Sequence, residues 1–355
     1  MSGNKIRVLI VDDSALIRGV MTEILSDDPE LEVVGAAPDP YVARDKIKTL
    51  NPDVLTLDVE MPKMDGLTFL QKLMAGRPMP VVMVSSLTEQ GAATTMQALE
   101  SGAVDFVTKP TVDIQHGLED LSRQITSKVK AAAQATVKKR TPPADCADRI
   151  KALAAQSAMI KTTDSIIAIG SSTGGTEALR ELLEVLPPNT PPILMTQHMP
   201  EHFTKTFADR LNELCPIHVK EAQEGDSVIP GQALLAPGNF HMELRRSGAK
   251  YYVTLNQEPP VNRHRPAVDP MFQSVAKYAG ANSVGVILTG MGNDGAAGML
   301  DMKKAGSFNV AQDEASCVVF GMPKEAIKAG GVDKILPLSN IPSAILAHLK
   351  MVSSR

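Results

Sequence analysis

The residues with the clearest chemical potential are Gly170, Ser172 and Gly174, which follow the short apolar run at residues 166–169. Their G-x-S-x-G order is typical of a nucleophile elbow, in which small flanking residues allow a sharp turn between a strand and a helix. The turn lifts the serine oxygen clear of the sheet and brings it near backbone N–H groups at the helix N-terminus. The stretch therefore predicts a serine nucleophile, and it leaves a plain structural turn open as the alternative.

A phosphate-binding loop would use the same geometry, because helix N-termini bind anions. The Walker sequence requires Gly-Lys followed by Ser or Thr, and the dinucleotide fingerprint requires glycine at the position of Ser172. Neither signature is present in this stretch. A phosphate-binding role for the turn is therefore disfavoured.

A serine nucleophile needs a base that accepts its proton and a third group that orients the base. His198 follows a predicted strand at residues 192–196, and Asp294 lies in a glycine-rich loop after a predicted strand at residues 284–288. The C-terminal ends of parallel strands meet along one edge of a sheet, so these groups are expected to gather around Ser172. We predict that Ser172, His198 and Asp294 form a catalytic triad.

The intermediate of such a reaction needs hydrogen-bond donors beside the attacked carbonyl oxygen. The backbone N–H groups of Thr173 and Met291, in the two glycine-bounded turns, are predicted to form this oxyanion hole. No cofactor is expected in the hydrolytic site. The loop at residues 290–295 could by itself bind phosphate or a cation, but it lacks the Walker lysine and the alternating carboxylates of a calcium loop.

Other polar residues in the second half of the chain offer alternatives. The run from His198 to His202 satisfies the H-x-x-E-H pattern of inverted zinc proteases, but Pro200 disfavours the unbroken helix that this pattern needs. Four further residues are rival bases or orienting acids: His241, His264, Asp269 and Asp313. For the two histidines, a structural or surface role is the simpler expectation.

The first half of the chain alternates apolar strands with helical patterns, which predicts a doubly wound parallel sheet of five βα units. The strands are predicted at residues 6–11, 32–36, 54–57, 80–84 and 105–107. The helices are predicted from about residue 15 and at residues 40–50, 66–74, 92–101 and 117–129. In the second half we predict a helix over residues 203–211 with Pro200 in its first turn, a helix over residues 296–305, and an antiparallel excursion that turns at Gly248.

Polar residues follow the strands of the first half, at the edge where functional residues gather in such sheets. They are Asp12, Asp13, Asp58, Ser85 and Lys109. Clustered carboxylates repel one another, so the cluster needs positive charge from a divalent cation or a cationic side chain. We predict that Lys109 supplies one charge and Mg²⁺ the rest.

Composition limits the function classes. A length of 355 residues suggests two domains, and 43% hydrophobic with 21% charged residues is ordinary for a globular protein. A net charge of −4, 3% aromatic residues and no Trp disfavour nucleic acid as a partner. Scattered Cys146, Cys215 and Cys317 argue against a zinc cluster or a disulfide framework and suggest free thiols in a reducing cytoplasm. Neither a signal peptide nor a membrane-inserting span is expected.

A change in composition marks the boundary between the two domains. No acidic residue occurs between Asp120 and Asp145, whereas lysine, arginine, alanine and a Pro-Pro pair accumulate there. We predict a first domain at residues 1–128, a basic linker at 129–161 and a second domain at 162–355. Helical segments are expected at residues 131–135 and 148–159.

The motifs at residues 11–14, 57–66, 84–86 and 109–110 resemble the receiver domain of two-component response regulators. The resemblance implies a flavodoxin-like fold in which Asp58 accepts a phosphoryl group, while Asp12 and Asp13 hold Mg²⁺ together with Asp58. It also implies that Ser85 is the switch hydroxyl and that Lys109 binds the phosphate. Phe106 would be the aromatic residue that reorients, although many relatives carry Tyr at this position.

The motifs at residues 170–175, 197–199, 236–238, 264–266 and 291–296 resemble the catalytic domain of chemotaxis protein-glutamate methylesterases. Together the two resemblances cover essentially the whole chain. One departure is Ala267, where relatives commonly carry Ser. The resemblance implies a C-terminal, doubly wound, mainly parallel α/β hydrolytic domain.

This family implies an esterase that demethylates glutamate γ-methyl esters on methyl-accepting chemoreceptors, releases methanol and deamidates receptor glutamines. The implied phosphodonor is the chemotaxis histidine kinase, and the implied location is the cytoplasm at chemoreceptor arrays. We further predict that the receiver masks the hydrolytic site until Asp58 is phosphorylated. The alternative is a non-enzymatic response regulator whose second domain binds a partner or DNA.

Overall fold

The computed structural model describes residues 5–110, 118–135 and 165–353. The chain divides into two compact units, Met1–Thr141 and Pro142–Arg355. The division falls inside the stretch predicted as a linker, and the helix predicted at residues 148–159 lies outside the described residues. In the part of the chain that is described, no helix is both long and apolar enough to cross a membrane.

The first unit alternates five strands with five helices. The strands are β1 (Ile6–Val11), β2 (Leu31–Ala37), β3 (Val54–Asp58), β4 (Val81–Ser85) and β5 (Asp105–Thr108). The helices are α1 (Ala15–Ser26), α2 (Pro40–Leu50), α3 (Gly66–Gly76), α4 (Glu89–Glu100) and α5 (Leu118–Ala133). The strands pair in parallel in the order β2-β1-β3-β4-β5. The predicted fold of five βα units is confirmed.

Local sequence explains these elements. Every residue of β3 and β4 is buried, as expected for inner strands covered by helices on both faces. Side chains cap the first turns of four helices by accepting backbone N–H bonds: Ser14, Asp39, Asp65 and Thr88. Because Thr88 is such a cap, α4 begins at Glu89, three residues before the predicted start.

The second unit is built on a larger sheet. Its strands are β6 (Ile166–Ser171), β7 (Ile193–Gln197), β8 (His218–Glu221), β9 (Gln232–Leu235), β10 (His241–Ser247), β11 (Lys250–Asn256), β12 (Ser283–Ile287), β13 (Phe308–Gln312) and β14 (Lys334–Leu336). Its helices are α6 (Gly175–Leu183), α7 (Phe203–Leu214), α8 (Val268–Tyr278), α9 (Ala296–Lys304), α10 (Met322–Lys328) and α11 (Ile341–Ser353). Short 3₁₀ turns occur at Gly280–Asn282 and Leu338–Asn340.

Seven strands form one parallel sheet in the order β14-β13-β12-β6-β7-β9-β8. Strand β6 lies at its centre, between β12 and β7, and all residues of these three strands are buried. Strands β10 and β11 form a separate antiparallel hairpin that turns at Gly248, whose φ is 59°. The mainly parallel α/β architecture and the antiparallel excursion are therefore confirmed.

The start of α7 differs from the prediction. Pro200 was expected in its first turn, but the helix begins at Phe203 and His202 precedes it with a left-handed φ of 69°. The backbone of Gly238 lies so close that an added Cβ would be 2.5 Å from the carbonyl carbon of Pro200 and 2.4 Å from the nitrogen of Glu201. Glu201 and His202 form a turn before the helix, and the Gly238 loop packs against the backbone at Pro200 and Glu201.

Candidate functional site

The elbow between β6 and α6 presents Ser172 at the C-terminal edge of the central strand. Gly174 adopts φ 76°, a left-handed conformation that favours glycine, and a Cβ on Gly170 would lie 2.3 Å from the Val268 side chain. Gln197, the last residue of β7, accepts a hydrogen bond from Ser171 Oγ at 2.7 Å and donates one to the Ser172 carbonyl oxygen at 2.9 Å. The glycines permit the turn, and Gln197 fixes it to the adjacent strand.

Ser172, His198 and Asp294 meet at this edge in one hydrogen-bonded line. Ser172 Oγ lies 3.1 Å from His198 Nδ1, and His198 Nε2 lies 2.7 Å from Asp294 Oδ2. All three residues are buried. With the proton of neutral His198 on Nε2, facing the carboxylate, Nδ1 is left as the acceptor for the serine proton. The geometry therefore suits a serine nucleophile with His198 as its base and Asp294 as the group that orients the base. This catalytic role stays a prediction.

The Asp294 carboxylate is held by donors on both oxygens. Oδ2 also accepts a bond from the Val268 N–H at 2.6 Å, and Oδ1 accepts bonds from Asn262 Nδ2 at 2.9 Å and the Asp269 N–H at 3.2 Å. Burial by itself would raise the pKa of Asp294, but the hydrogen bond and charge of His198 together with these donors outweigh it and lower the pKa. Asp294 is thus kept ionised in a buried site.

The two residues predicted as oxyanion donors lie in segments that contact the elbow directly. The Ser172 N–H donates to the Thr289 carbonyl oxygen at 3.0 Å, and a Cβ added at Gly290 would lie 2.7 Å from Ser172 Cβ. Thr289 Oγ1 in turn donates to the Thr173 carbonyl oxygen at 3.0 Å. These contacts place Thr289 and Gly290, which directly precede Met291, against the elbow that contains Thr173, and the role of Thr173 and Met291 as donors remains a prediction.

The rival residues take other positions. His241 is buried, and its ring lies between the Ala267 N–H, 3.2 Å from Nδ1, and the Pro259 carbonyl oxygen, 3.2 Å from Nε2. Asp313 accepts bonds from the Ser316 backbone and hydroxyl within its own turn. These contacts describe structural roles for both residues.

The other two rivals lie beside the line of three. Asp269 accepts bonds from the Gly298 N–H and from Asn262, and burial followed by the charge of Asp294 raises its pKa although the Gly298 bond opposes this. His264 stacks on His198 with ring centroids 3.7 Å apart and an interplanar angle of 10°. Asp269 thus lies beside Asp294, the predicted orienting acid, and His264 lies against His198, the predicted base.

A zinc site at His198 and His202 is disfavoured. Both His198 nitrogens face Ser172 and Asp294, and among the described residues a set of three or more potential metal ligands is found only at Asp12, Asp13 and Asp58.

Asn262 went unrecognised from the sequence, because an asparagine in a polar turn carries no sign of a buried partner. The position of Gln197 at a strand end, directly before His198, was the signal that could have marked its role.

In the first unit, the acidic residues gather at the ends of β1 and β3. Single carboxylate oxygens of Asp12, Asp13 and Asp58 all lie within 4.8 Å of one another. Lys109 Nζ is 2.8 Å from both oxygens of Asp58. The buried Asp12 Oδ2 has no hydrogen-bond partner among the described residues. A hard cation with oxygen ligands would satisfy this oxygen, so the three acids fit Mg²⁺.

Burial and charge repulsion shift the pKa values of this cluster. Burial raises the pKa of Asp58 to about 6, with the negative charge of Asp12 adding to the effect and the Lys109 hydrogen bond opposing it. Burial also raises the pKa of Asp12. Desolvation would lower the pKa of Lys109, but its bond to Asp58 raises it, so the lysine stays charged. A cation would relieve the remaining repulsion.

The predicted switch residues flank the acids. Ser85 is fully buried, receives a hydrogen bond from Thr95 Oγ1 at 2.8 Å and lies 3.3 Å from the Gly91 carbonyl oxygen. Phe106 is also buried, and Lys128 Nζ lies 4.9 Å from its ring centroid. Ser85 is therefore engaged with α4 in this arrangement, and a switch role for both residues remains a prediction.

The first unit has the fold and acidic cluster of a response-regulator receiver, and the second has the parallel sheet and Ser-His-Asp line of a serine hydrolase. Family models agree, since the response regulator receiver domain matches residues 8–121 and CheB methylesterase matches residues 167–345. The chain belongs to the CheB methylesterase family with an N-terminal receiver domain, which confirms both resemblances.

Relatives match over nearly the full length. A protein-glutamate methylesterase/protein-glutamine glutaminase of Thiobacillus denitrificans is 61% identical over 342 residues, which are 96% of each chain. A similarly named protein of Geobacter metallireducens is 57% identical and covers 100% of this chain and 99% of its own. The crystal structure of the Thermotoga maritima CheB methylesterase catalytic domain is 41% identical, with a TM-score of 0.51, and covers 52% of this chain and 98% of its own.

Proposed function

We propose that the chain is a phosphorylation-regulated serine hydrolase that removes methyl groups from glutamate γ-methyl esters on chemoreceptors and deamidates receptor glutamines. The observation that carries the proposal is the line of Ser172, His198 and Asp294, with separations of 3.1 and 2.7 Å, in a chain of the CheB methylesterase family. The result would be sensory adaptation in chemotaxis.

In the proposed acylation step, Ser172 Oγ attacks the ester carbonyl carbon and transfers its proton to His198 Nδ1. Asp294 holds Nε2–H and stabilises the positive charge that forms on the imidazole. Backbone N–H groups at Thr173 and Met291 bind the negative carbonyl oxygen. The intermediate collapses as the C–O bond to the methoxy group breaks, and His198 returns the proton so that methanol leaves.

In the proposed deacylation step, water attacks the acyl-serine and gives one proton to His198 Nδ1. Breaking the bond to Ser172 Oγ then releases the glutamate side chain, and the proton returns to the serine. A glutamine side chain would follow the same route with ammonia as the first leaving group. One site can therefore perform both activities.

The receiver supplies the proposed control. Asp58 would form a P–O bond to the phosphoryl group of a phosphohistidine on the chemotaxis kinase while the P–N bond breaks, and Lys109 would contact the transferred group. Asp12, Asp13 and Asp58 would hold Mg²⁺, which neutralises phosphoryl charge when bound. Phosphorylation would then relieve inhibition of the hydrolase by the receiver. We propose that this takes place in the cytoplasm at chemoreceptor arrays.

The direct experiment measures methanol release from membranes carrying methylated chemoreceptors. Wild type should release methanol, whereas the rate of methanol release by Ser172→Ala should be lower by about 10⁶-fold. Ser171→Ala is the matched control, because it removes only the hydroxyl bonded to Gln197, and it should keep measurable activity. Equal rates for wild type and Ser172→Ala, with both proteins folded, would favour a binding module over an enzyme.

A further inference from the structure

A tight turn at residues 261–264 lies against two members of the proposed triad. Val261 and His264 exchange backbone hydrogen bonds of 3.1 and 2.9 Å. Between them, Asn262 and Arg263 have left-handed φ values of 50° and 71°. Positive φ at both central residues is the signature of a two-residue type I′ hairpin turn. Asparagine adopts this conformation readily, but Arg263 is an unusual residue for it, and such backbone strain persists only where surrounding contacts impose it.

Contacts on the C-terminal side of the turn anchor it. The Arg265 guanidinium donates to the carbonyl oxygens of Gln257 at 2.9 Å and Glu258 at 3.1 Å. It also donates from Nε to Asn239 Oδ1 at 2.9 Å, and the Asn239 N–H returns a bond to the Arg265 carbonyl oxygen. The turn is thus fixed to two neighbouring loops and can present its side chains in a defined direction.

Asn262 uses one amide nitrogen to bridge two buried acids. Its Nδ2 lies 2.8 Å from Asp269 Oδ2 and 2.9 Å from Asp294 Oδ1. Asn262 is exposed as a residue, and its side-chain amide lies against both buried acids. The two amide hydrogens place a donor between carboxylates that would otherwise repel each other. They also leave Asp294 Oδ2 directed at His198.

His264 covers one face of His198. Both nitrogens of the His198 ring are engaged in the ring plane, so the remaining freedom of the imidazole is tilting out of that plane. The His264 ring, 3.7 Å away and within 10° of parallel, blocks this tilt. Its π face also lies where positive charge develops when His198 accepts the serine proton.

We propose that two residues of this turn are positioning residues of the hydrolase: Asn262 orients Asp294, and His264 holds the His198 ring in line with Ser172. The inference rests on the proposed function. Neither residue exchanges a proton with the substrate, so both act through the triad. Losing either should lower kcat with little change in KM.

The first test separates ring stacking from hydrogen bonding at position 264. His264→Phe keeps an aromatic ring without nitrogens, and His264→Asn keeps a polar group without a ring. Ser172 reactivity is followed in the full chain with a fluorophosphonate probe, alongside kcat for methanol release. The probe should label His264→Phe near the wild-type rate and His264→Asn about tenfold more slowly. A rate for His264→Asn equal to or above that of His264→Phe would overturn the proposal for His264.

The second test compares neighbouring positions of the turn. Asn262→Gly keeps the left-handed backbone and removes the amide, so both kcat and labelling should fall by about tenfold. Arg263→Gly is the matched control, because it also places glycine at a left-handed position of the turn but removes an exposed side chain. It should react like wild type. Equal rates for the two glycine variants would overturn the proposal for Asn262.

The proposed function and the positioning role of Asn262 and His264 can be contradicted separately. If wild type neither hydrolyses receptor esters nor reacts with the probe at Ser172, the proposed function itself is wrong. If wild type does both and the turn variants match it, only the positioning role is wrong. Thermal midpoints of all variants, measured by calorimetry, identify any loss that comes from unfolding.

Discussion

The two strand-end sites of this chain treat buried carboxylates in opposite ways. In the first unit, burial and the neighbouring acid raise the pKa of Asp58, and Asp12 Oδ2 has no hydrogen-bond partner in the described residues. In the second, both oxygens of Asp294 accept hydrogen bonds and its pKa is lowered. The C-terminal strand ends of two separate parallel sheets therefore carry one site with unmet charge and one site whose charge is satisfied by hydrogen bonds.

The difference matches the role that we propose for each site. A site that takes up a cation and a phosphoryl group needs negative charge that the protein itself does not neutralise, because the ligands supply the balance. A site that repeatedly forms and loses an imidazolium needs a carboxylate fixed in place before the reaction begins. The acidic cluster would change its net charge when a cation and a phosphoryl group bind, whereas the proposed triad would keep its side chains in fixed positions.

The largest expected effect concerns the geometry of the triad. Ser172→Ala and His198→Ala should each lower kcat by about 10⁶-fold, and the double variant should be no slower than the worse single variant. Residues that work as one unit give such non-additive losses. Rates of methanol release from the three proteins provide the check. A double variant much slower than either single one would mean that the two residues act separately.

The next largest expected effect concerns the acidic cluster of the first unit. Asp58→Asn should reduce incorporation of labelled phosphate from a phosphohistidine donor to background, because no other carboxylate is paired with Lys109 at 2.8 Å on both oxygens among the described residues. Glu60→Gln, which removes an exposed carboxylate two residues away, should still be labelled. Full-rate labelling of Asp58→Asn would assign the acceptor to Asp12 or Asp13 instead.

The smallest effect is on stability. The folded-state pKa of Asp58, about 6, lies above its ordinary value of 3.8, so the folded chain binds this proton more tightly than the unfolded chain does. Stability from this group is present below pH 3.8 and is lost as the pH rises through about 6. Asp58→Asn removes the ionisation, so without metal at pH 7 it should stabilise the receiver by up to about 3 kcal/mol.

Calorimetry in a chelator provides the measurement for this prediction. The advantage of Asp58→Asn should shrink as the pH is lowered toward 4, and also when Mg²⁺ is added, since Mg²⁺ stabilises wild type by binding its folded state. An Asp58→Asn receiver less stable than wild type at pH 7 would show that the Lys109 pair outweighs the cost of burial.

The alternation of strands and helices in a mainly parallel sheet, and with it the meeting of distant residues at strand ends, could be predicted from the sequence. Apolar runs ending in Asp58 or His198 are local signals, and parallel pairing brings such ends together. The position of Pro200 outside α7 could not be predicted, because the Gly238 loop that packs against its backbone is remote in sequence. Local propensity is overridden there by packing.

The meeting of Ser172, His198 and Asp294 could be predicted from the sequence, and their catalytic role remains a prediction, but the residues that support them could not be identified there. Ser172 and Asp294 lie in glycine-rich turns that attract attention, whereas Asn262 is one polar residue among several in a loop. Its bridge to Asp269 and Asp294 depends on a left-handed backbone and on the approach of α8, and neither has a local signature. Similarly, the stacking of His264 on His198 depends on where two loops meet.

The central claim is that phosphorylation of Asp58 in the first unit controls hydrolysis at Ser172 in the second. The most direct test measures methanol release by the full chain and by a fragment beginning near Lys161, each with and without a small phosphodonor and Mg²⁺. The account predicts that the fragment is faster than the unphosphorylated full chain, and that the phosphodonor accelerates the full chain but leaves the fragment unchanged. A folded but inactive fragment would contradict it, because the receiver would then be needed to build the active site.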